Sequence, residues 1–386
     1  MTWDPRVTPQ SLTLSPKSLS PYLCTMNITK EKVLEALKHV EDPDLKKDIV
    51  TLGMVKDIEI EGKNVSFTVV LTTPACPMKE LIKRNCENAI TDHIDKDAVA
   101  KVNMTATVTT QRNSNVLPGV KNIIAVASGK GGVGKSTISA NLACALAMQG
   151  ARVGLIDADI YGPSVPIMFD VVNEKPMVRD IGEKSYLVPV ESYGVKLLSI
   201  GFFADMNQAV VWRGPIAVRA LNQMLGEADW GELDYMIVDL PPGTGDIHLS
   251  LVGAVPVTGA VIVSTPQNVA LADAKKAVAM FKMPAINVPV LGIVENMAYF
   301  TPAELPENKY FIFGREGATR LAEDLEIPLL AQIPLVQSIC EAGDVGRPAV
   351  LQRTTPQALA FLEMAGNIAQ RVAIQNSVVK EPVANV

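Results

Sequence analysis

Cysteine is scarce in this chain: five residues, Cys24, Cys76, Cys86, Cys144 and Cys340, among 386. An odd number spread this widely excludes a disulfide framework as what holds the fold. Positive charge is also in deficit, with 35 Lys and Arg against 41 Asp and Glu and a formal net charge of −6. The resulting pI near 5.3 speaks against a broad electrostatic footprint for nucleic acid. No apolar run reaches the roughly 18 residues of a membrane-spanning helix. The first residues lack the basic-then-apolar layout of a secretory signal. We therefore expect no nucleic-acid partner, no membrane partner and a cytoplasmic location. Aromatic residues make up only 5% of the chain, so Ala, Val, Ile and Leu must build the core, and a 48% apolar content is ample for that.

Against these absences stands one dense motif. An apolar run over residues 123–127 stops at Gly129-Lys130-Gly131-Gly132-Val133-Gly134-Lys135-Ser136-Thr137, and a helix-like segment follows over 138–148. A glycine-rich turn between a strand and a helix, closed by Lys-Ser, is the phosphate-binding P-loop pattern. Its glycines let backbone N–H groups face a phosphate with no Cβ in the way. The helix N-terminus adds partial positive charge at the same place. Lys135 is positioned to neutralise β- and γ-phosphate oxygens, and Ser136 to offer its hydroxyl to Mg²⁺. ATP and Mg²⁺ are thus the expected ligands. Lys130 is unusual, because a second lysine so close to Lys135 is costly unless an anion lies between them. Its plain reading is a lysine on the rim of its own site.

Further carboxylates follow at strand ends. Leu155-Ile156-Asp157-Ala158-Asp159 places two of them at alternating positions, where both can face the carboxyl edge of a sheet. Asp159 is the candidate to orient an attacking water, with Asp157 supporting the metal and Lys135 side. Val238-Asp239 precedes Leu240-Pro241-Pro242-Gly243-Thr244-Gly245-Asp246. Asp239 suits a Mg²⁺ held through water, the loop after it can sense a γ-phosphate, and Asp246 most simply caps the next helix. Asn296 closes a later strand and could read an adenine edge as donor and acceptor. Arg213, before a helix start, suits a structural ion pair or a phosphate contact.

The rest of the chain supplies the frame. Residues 1–25, rich in Ser, Thr and Pro, read as a disordered tail. Residues 26–110 read as a small α+β domain. In it a helix capped by Thr29 precedes strands at 55–60 and 65–71, a helix at 78–94 and a strand at 99–108. Residues 111–119 are a polar, Pro/Gly-containing linker. From 120 to 376 apolar strands at 153–156, 236–238, 260–263, 288–294 and 329–333 alternate with helices, ending in a helix at 356–374. Short strands or a hairpin fall within 187–200, and 377–386 is a tail. The fold class is α/β, a mostly parallel sheet with a small N-terminal α+β domain. Cys76, in Thr72-Thr73-Pro74-Ala75-Cys76-Pro77, sits just before a helix, where the dipole lowers a thiol pKa. It is either a small buried thiol in a tight turn or a metal ligand.

The GKGGVGKST stretch resembles the deviant P-loop of the MinD/ParA/nitrogenase-iron-protein class. That resemblance implies that Lys130 reaches across a homodimer that sandwiches ATP. The DPDL, LGMV and TTPACP segments look like a PaaD/SufT-type domain associated with iron–sulfur assembly. Together with DADIYGPS, FFADMNQAVVWRGP, DLPPGTGD, STPQNVALADA and VENMAYF, the chain is similar to the Mrp subfamily of P-loop ATPases. This likeness implies ATP hydrolysis by Lys130, Lys135 and Asp159, carriage of a [4Fe–4S] cluster, and iron–sulfur apoproteins or assembly factors as partners. One departure stands out. The cluster carriers of that family place a Cys-x-x-Cys pair after the ENM segment; here Phe300-Thr301-Pro302-Ala303-Glu304-Leu305-Pro306 holds no cysteine. Cys76 is then the remaining candidate iron–sulfur ligand. The rival readings are a ParA/MinD-like positioning ATPase and a nucleotide-switched scaffold.

Overall fold

The computed structural model describes residues 28–110, 117–159, 162–182, 184–203, 214–245, 248, 252, 255–302, 304–305 and 307–378. The tail at 1–25 with Cys24, most of the linker and of the last ten residues, and Tyr161, Trp212, Arg213 and Asp246 lie outside these.

The small unit is built from two helices on a three-stranded sheet. Thr29 caps α1 (Lys30–Leu37) by accepting from the Lys32 N–H. A two-residue pair, β1 (Glu41–Asp42) with β2 (Lys47–Asp48), follows, its turn held by Asp42, which accepts from the Asp44 and Leu45 amides. β3 (Val55–Glu61) runs antiparallel to β4 (Asn64–Leu71), and β5 (Val99–Ala106) returns parallel to β4 after α2 (Lys79–His93). Alternation in β4 buries Val65, Phe67, Val69 and Leu71 on one face, where Ile82, Cys86 and Ile90 of α2 meet them.

The large unit is an eight-stranded sheet in the order β10-β11-β7-β12-β6-β13-β14-β15. In chain order these strands are β6 (Val120–Ala127), β7 (Val153–Asp157), β10 (Val190–Ser192), β11 (Val195–Ser199), β12 (Leu233–Asp239), β13 (Gly259–Ser264), β14 (Val290–Glu295) and β15 (Leu329–Gln332). All neighbours pair in parallel except the edge strand β10. Near-continuous Val/Ile/Leu runs fit strands covered on both faces, and all seven residues of β12 are buried. Alternate side chains of β6 divide the interior. Ile124 and Val126 join a core with α3 (Lys135–Met148) and the C-terminal α9 (Pro356–Ser377). Ile123, Ala125 and Ala127 join a second core with α5 (Gly214–Gly226), α6 (Asn268–Lys282) and α7 (Gly317–Asp324). Each large aliphatic side chain so buried contributes about 1.5–3 kcal/mol.

The hairpin expected within 187–200 is β10–β11, turned at Tyr193 and Gly194, both with positive φ. A second hairpin, β8 (Met177–Ile181) with β9 (Lys184–Val188), lies outside the main sheet, and the sequence pattern did not signal it. Its residues mix exposed Met177 and Val178 with charge and so lack a buried stripe. The two units touch directly. Tyr235 donates its hydroxyl to Thr73 at 3.0 Å, Gln370 of α9 donates to Asp44, and Ala75 is buried in the α3/α9 core.

Candidate functional site

The parallel register of β7 and β12 sets Asp157 opposite Asp239, so two strand ends present carboxylates side by side. Between them and β6 the chain turns through Gly129–Gly134 into α3. Gly129 has no room for a side chain: a Cβ there would lie 2.1 Å from the Asp273 carbonyl oxygen of α6. Gly132 and Gly134 take φ of +81° and +82°, which a side chain rarely tolerates. Ser128 donates to the Lys130 carbonyl at 3.0 Å, closing the start of the loop. The loop wraps a cavity of about 230 Å³ faced by Lys135, Ser136, Thr137, Asp159 and Pro242.

Lys135 is the centre of charge. Its Nζ lies 2.9 Å from Asp239 Oδ1 and 3.8 Å from Asp159 Oδ2, and the side chain is only 6% exposed. Ser136 donates to Asp239 Oδ2 at 2.6 Å, and Ser139, one turn further along α3, donates to Asp239 Oδ1 at 2.7 Å. Asp157 is held by the Ser199 hydroxyl at 2.9 Å and by the amides of Asp159 and Val165. Burial first, and then the adjacent Asp239, push the Asp157 carboxyl well above the usual carboxylate range. Two carboxylates, Asp239 and Asp159, therefore face one buried ammonium, with Asp157 behind them beside Asp239. That imbalance suits a divalent cation beside Ser136 and Asp239.

A second, largely apolar cavity of about 410 Å³ opens from Gly134 and Thr137 and continues past Met297 to Pro334 and Ile339. Asn296 lines it but is 6% exposed, and its Nδ2 donates to the Val133 carbonyl at 2.8 Å. Asn296 thus braces the P-loop from below with one donor committed. Lys130 is exposed at the mouth of the loop.

Of the residues singled out from sequence, Lys135, Ser136, Thr137, Asp159, Gly131, Gly132 and Gly134 converge on one cavity, and Asp239 lies buried behind Lys135 and Ser136. Cys76 lies elsewhere, beside the junction of the two units. Its thiol is pushed up to about 11 by burial, against a partial offset from the Met78 amide. The lowered pKa expected from a helix start is therefore overturned, because desolvation against the core of the small unit outweighs the dipole. Cys86 and Cys144 are buried, with thiols pushed up to about 12 by desolvation. Among the described residues no three His, Cys, Asp or Glu side chains are grouped to hold a metal ion.

Sequence reasoning missed Ser139 and His248. Ser139 stands one helical turn after Lys135, so the inner face of α3 carried a signal. His248 is 2% exposed, with Nε2 3.0 Å from the Pro241 carbonyl. Burial pushes its pKa below the usual histidine value.

A parallel sheet whose strand ends gather around a P-loop, with a lysine and an aspartate in contact, defines the class of P-loop NTPases. Residues 119–372 match the family described as NUBPL iron-transfer P-loop NTPase, and residues 30–104 match that described as iron–sulfur cluster assembly protein. The chain belongs to the NUBPL iron-transfer P-loop NTPase family. It is 45% identical over 353 residues to an iron–sulfur cluster carrier protein of Synechocystis, covering 90% of this chain and 99% of that one. An iron–sulfur cluster carrier protein of Deinococcus radiodurans is 44% identical over 347 residues, covering 89% and 96%. Among solved structures, a nucleotide-binding protein from Archaeoglobus fulgidus in complex with ADP is 38% identical. It superposes with a TM-score of 0.54 over 64% of this chain and 93% of that one. No helix among the described residues is long and apolar enough to cross a membrane.

Proposed function

We propose that this protein binds and hydrolyses ATP with Mg²⁺ and uses that cycle in carrying or assembling iron–sulfur clusters for apoprotein targets in the cytoplasm. The observation that carries the reading is the Lys135–Asp239–Ser136 constellation at the floor of the glycine loop. In this reading the loop amides and Lys135 hold the phosphates, and the adenosine occupies the apolar cavity beyond Gly134 and Thr137. Asp159 lies across the same cavity and orients the attacking water. Ser136 and Asp239 would hold Mg²⁺, which supplies neutralisation of the phosphate oxygens. Lys130, exposed at the rim, would meet the nucleotide of a second protomer, so the working form is a homodimer closed on ATP.

The cluster is cargo, and the cysteines among the described residues do not fit it as a resident group. A bridging [4Fe–4S] cluster takes four thiolates. Here the two buried cysteines resist ionisation, and Cys76 and Cys340 lie in different units. We therefore read the thiolates as coming from the recipient or from another assembly protein, with this chain supplying the nucleotide switch. The test is twofold. Phosphate release should require Mg²⁺ and disappear in Lys135→Ala. Cluster transfer from a loaded donor to an apo iron–sulfur enzyme should accelerate when this protein and ATP are both added. Absence of ATP turnover, or transfer indifferent to the protein, would overturn the reading.

A further inference from the structure

The reading above leaves His248, a buried titratable side chain, unused. His248 follows the Pro241–Gly245 loop, is 2% exposed, and directs Nε2 at the Pro241 carbonyl at 3.0 Å. A carbonyl only accepts, so the neutral ring carries its proton on Nε2 and leaves Nδ1 a bare lone pair. Among the described residues that buried Nδ1 has no hydrogen-bond partner. An unmatched buried acceptor costs free energy that an apolar side chain of the same size would not incur. The ring is therefore poorly explained as packing, and its Nε2–H is what distinguishes it from a leucine.

The bond it makes falls at a sensitive place. Pro241 and Pro242 have no N–H, so the peptide between them can be fixed only through the Pro241 carbonyl or through the rings. Downstream, Gly243, with φ +98°, donates its N–H to the Ser128 carbonyl at 2.9 Å, tying the loop to the residue before the P-loop. Upstream, the Leu240 amide donates to Val126. Pro242 itself faces the phosphate cavity, opposite Gly131. The peptide that His248 grips thus lies between two anchored points, Leu240 and Gly243, and its rotation would swing Pro242, held between them, relative to the cavity.

We propose that His248 is a positioning residue for terminal-phosphate recognition: its Nε2–H holds the Pro241 carbonyl so that Pro242 and the loop after it are presented to the γ-phosphate end of the cavity in one orientation. The proposal rests on the ATP reading above and adds to it the group that sets the sensing loop. ADP, which ends at the β-phosphate in the glycine loop, should be indifferent to this bond. ATP should not.

The test compares the full chain with His248→Leu, His248→Gln and His248→Asn, measuring Mg·ATP turnover and the affinities of Mg·ADP and a non-hydrolysable Mg·ATP analogue by calorimetry. Gln can place an N–H near the Nε2 position, whereas Asn is too short to reach Pro241. We expect His248→Leu and His248→Asn to lose at least about 10-fold in kcat and to lose preference for the triphosphate, with ADP affinity within about 2-fold of the parent. His248→Gln should recover most of both. Parent-like kcat and triphosphate preference in His248→Leu would overturn the proposal. So would an equal loss of ADP and ATP affinity in all three variants, which marks a merely structural ring. Should the parent itself not hydrolyse ATP, the hydrolysis reading fails, while the triphosphate-to-diphosphate affinity ratio still decides the role of His248.

Discussion

Replacing Gly129 by alanine isolates what the first glycine of the loop does. A Cβ at that position would lie 2.1 Å from the Asp273 carbonyl oxygen, 2.2 Å from its carbon and 2.7 Å from the Ala274 nitrogen. All three are backbone atoms of α6, so no side-chain rotation relieves the clash. Restoring an ordinary contact needs a displacement of more than 1 Å between the P-loop and α6, and overpacking of this kind costs about 1–3 kcal/mol. For a unit of this size that corresponds to roughly 2–4 °C in melting temperature per kcal/mol. The same displacement carries the loop amides away from Lys135, so ADP affinity should fall at least about 10-fold, a change of about 1.4 kcal/mol. Gly131 is the control for the fold. Its φ is not positive, and a Cβ there would meet nothing nearer than the Pro242 ring at 3.9 Å. Gly131→Ala should melt with the parent, whatever it does to nucleotide. Thermal melting and calorimetric titration of Mg·ADP check both variants. A Gly129→Ala protein that melts within 1 °C of the parent, by that same scale, and binds ADP equally would refute the packing argument.

Lys135→Ala should reduce ATP affinity at least about 10-fold and destabilise the protein without ligand, because Asp239 is left buried with only hydroxyl donors; unchanged affinity in calorimetry would remove Lys135 from the site. Asp159→Ala should keep ATP binding and lose turnover, and in that background Mg·ATP should shift the mass by light scattering toward a dimer. Adding Lys130→Ala should weaken the shift, and an identical shift in both proteins would exclude a cross-subunit role for Lys130. Burial alone would raise the Asp234 carboxyl, yet Arg152 and Lys121 bring it down to about 2. A depressed carboxylate stabilises above its unfolded pKa and loses that contribution as pH falls from near 4 toward 2. Arg152 is half exposed, so we expect Asp234→Asn to cost a discounted 1–2 kcal/mol, roughly, at pH 7. Its melting deficit should shrink below pH 4; a deficit independent of pH would assign the loss to packing.

What could be read from the chain alone was whatever is local. The glycine loop, the Val/Ile/Leu strands and the aspartates at their ends are each contained in a few consecutive residues, and the structure assembles them around one cavity. Ser139 escaped because its partner, Asp239, is 100 positions away. The tightness at Gly129 depends on α6, and the orphaned nitrogen of His248 depends on burial. Neither leaves a trace in spacing. Asn296 was legible as the end of a strand, but its bond to Val133 crosses from β14 to the P-loop. Of the two readings left open for Cys76, the small thiol in a turn fits its burial, and only the lowered pKa failed, for the same reason in reverse. The helix after it is local and visible, whereas the small unit's core that buries its thiol gathers residues spread from Val33 to Val102.

The junction of the two units bears directly on how they share one structure. β12 carries Tyr235 near one end and Asp239 at the other, four residues apart, or about 13 Å along a strand. Tyr235 grips Thr73 of the segment that holds Cys76, while Asp239 grips Lys135, Ser136 and Ser139. Every residue between them is buried, with β6 on one side and β7 on the other. Lys121 and Arg152 pin the strand a further position back, through Asp234. Close-packed interiors have little room to absorb a shift. The small unit is therefore fastened to the same strand that ends beneath the glycine loop, and not merely tethered to it by a linker.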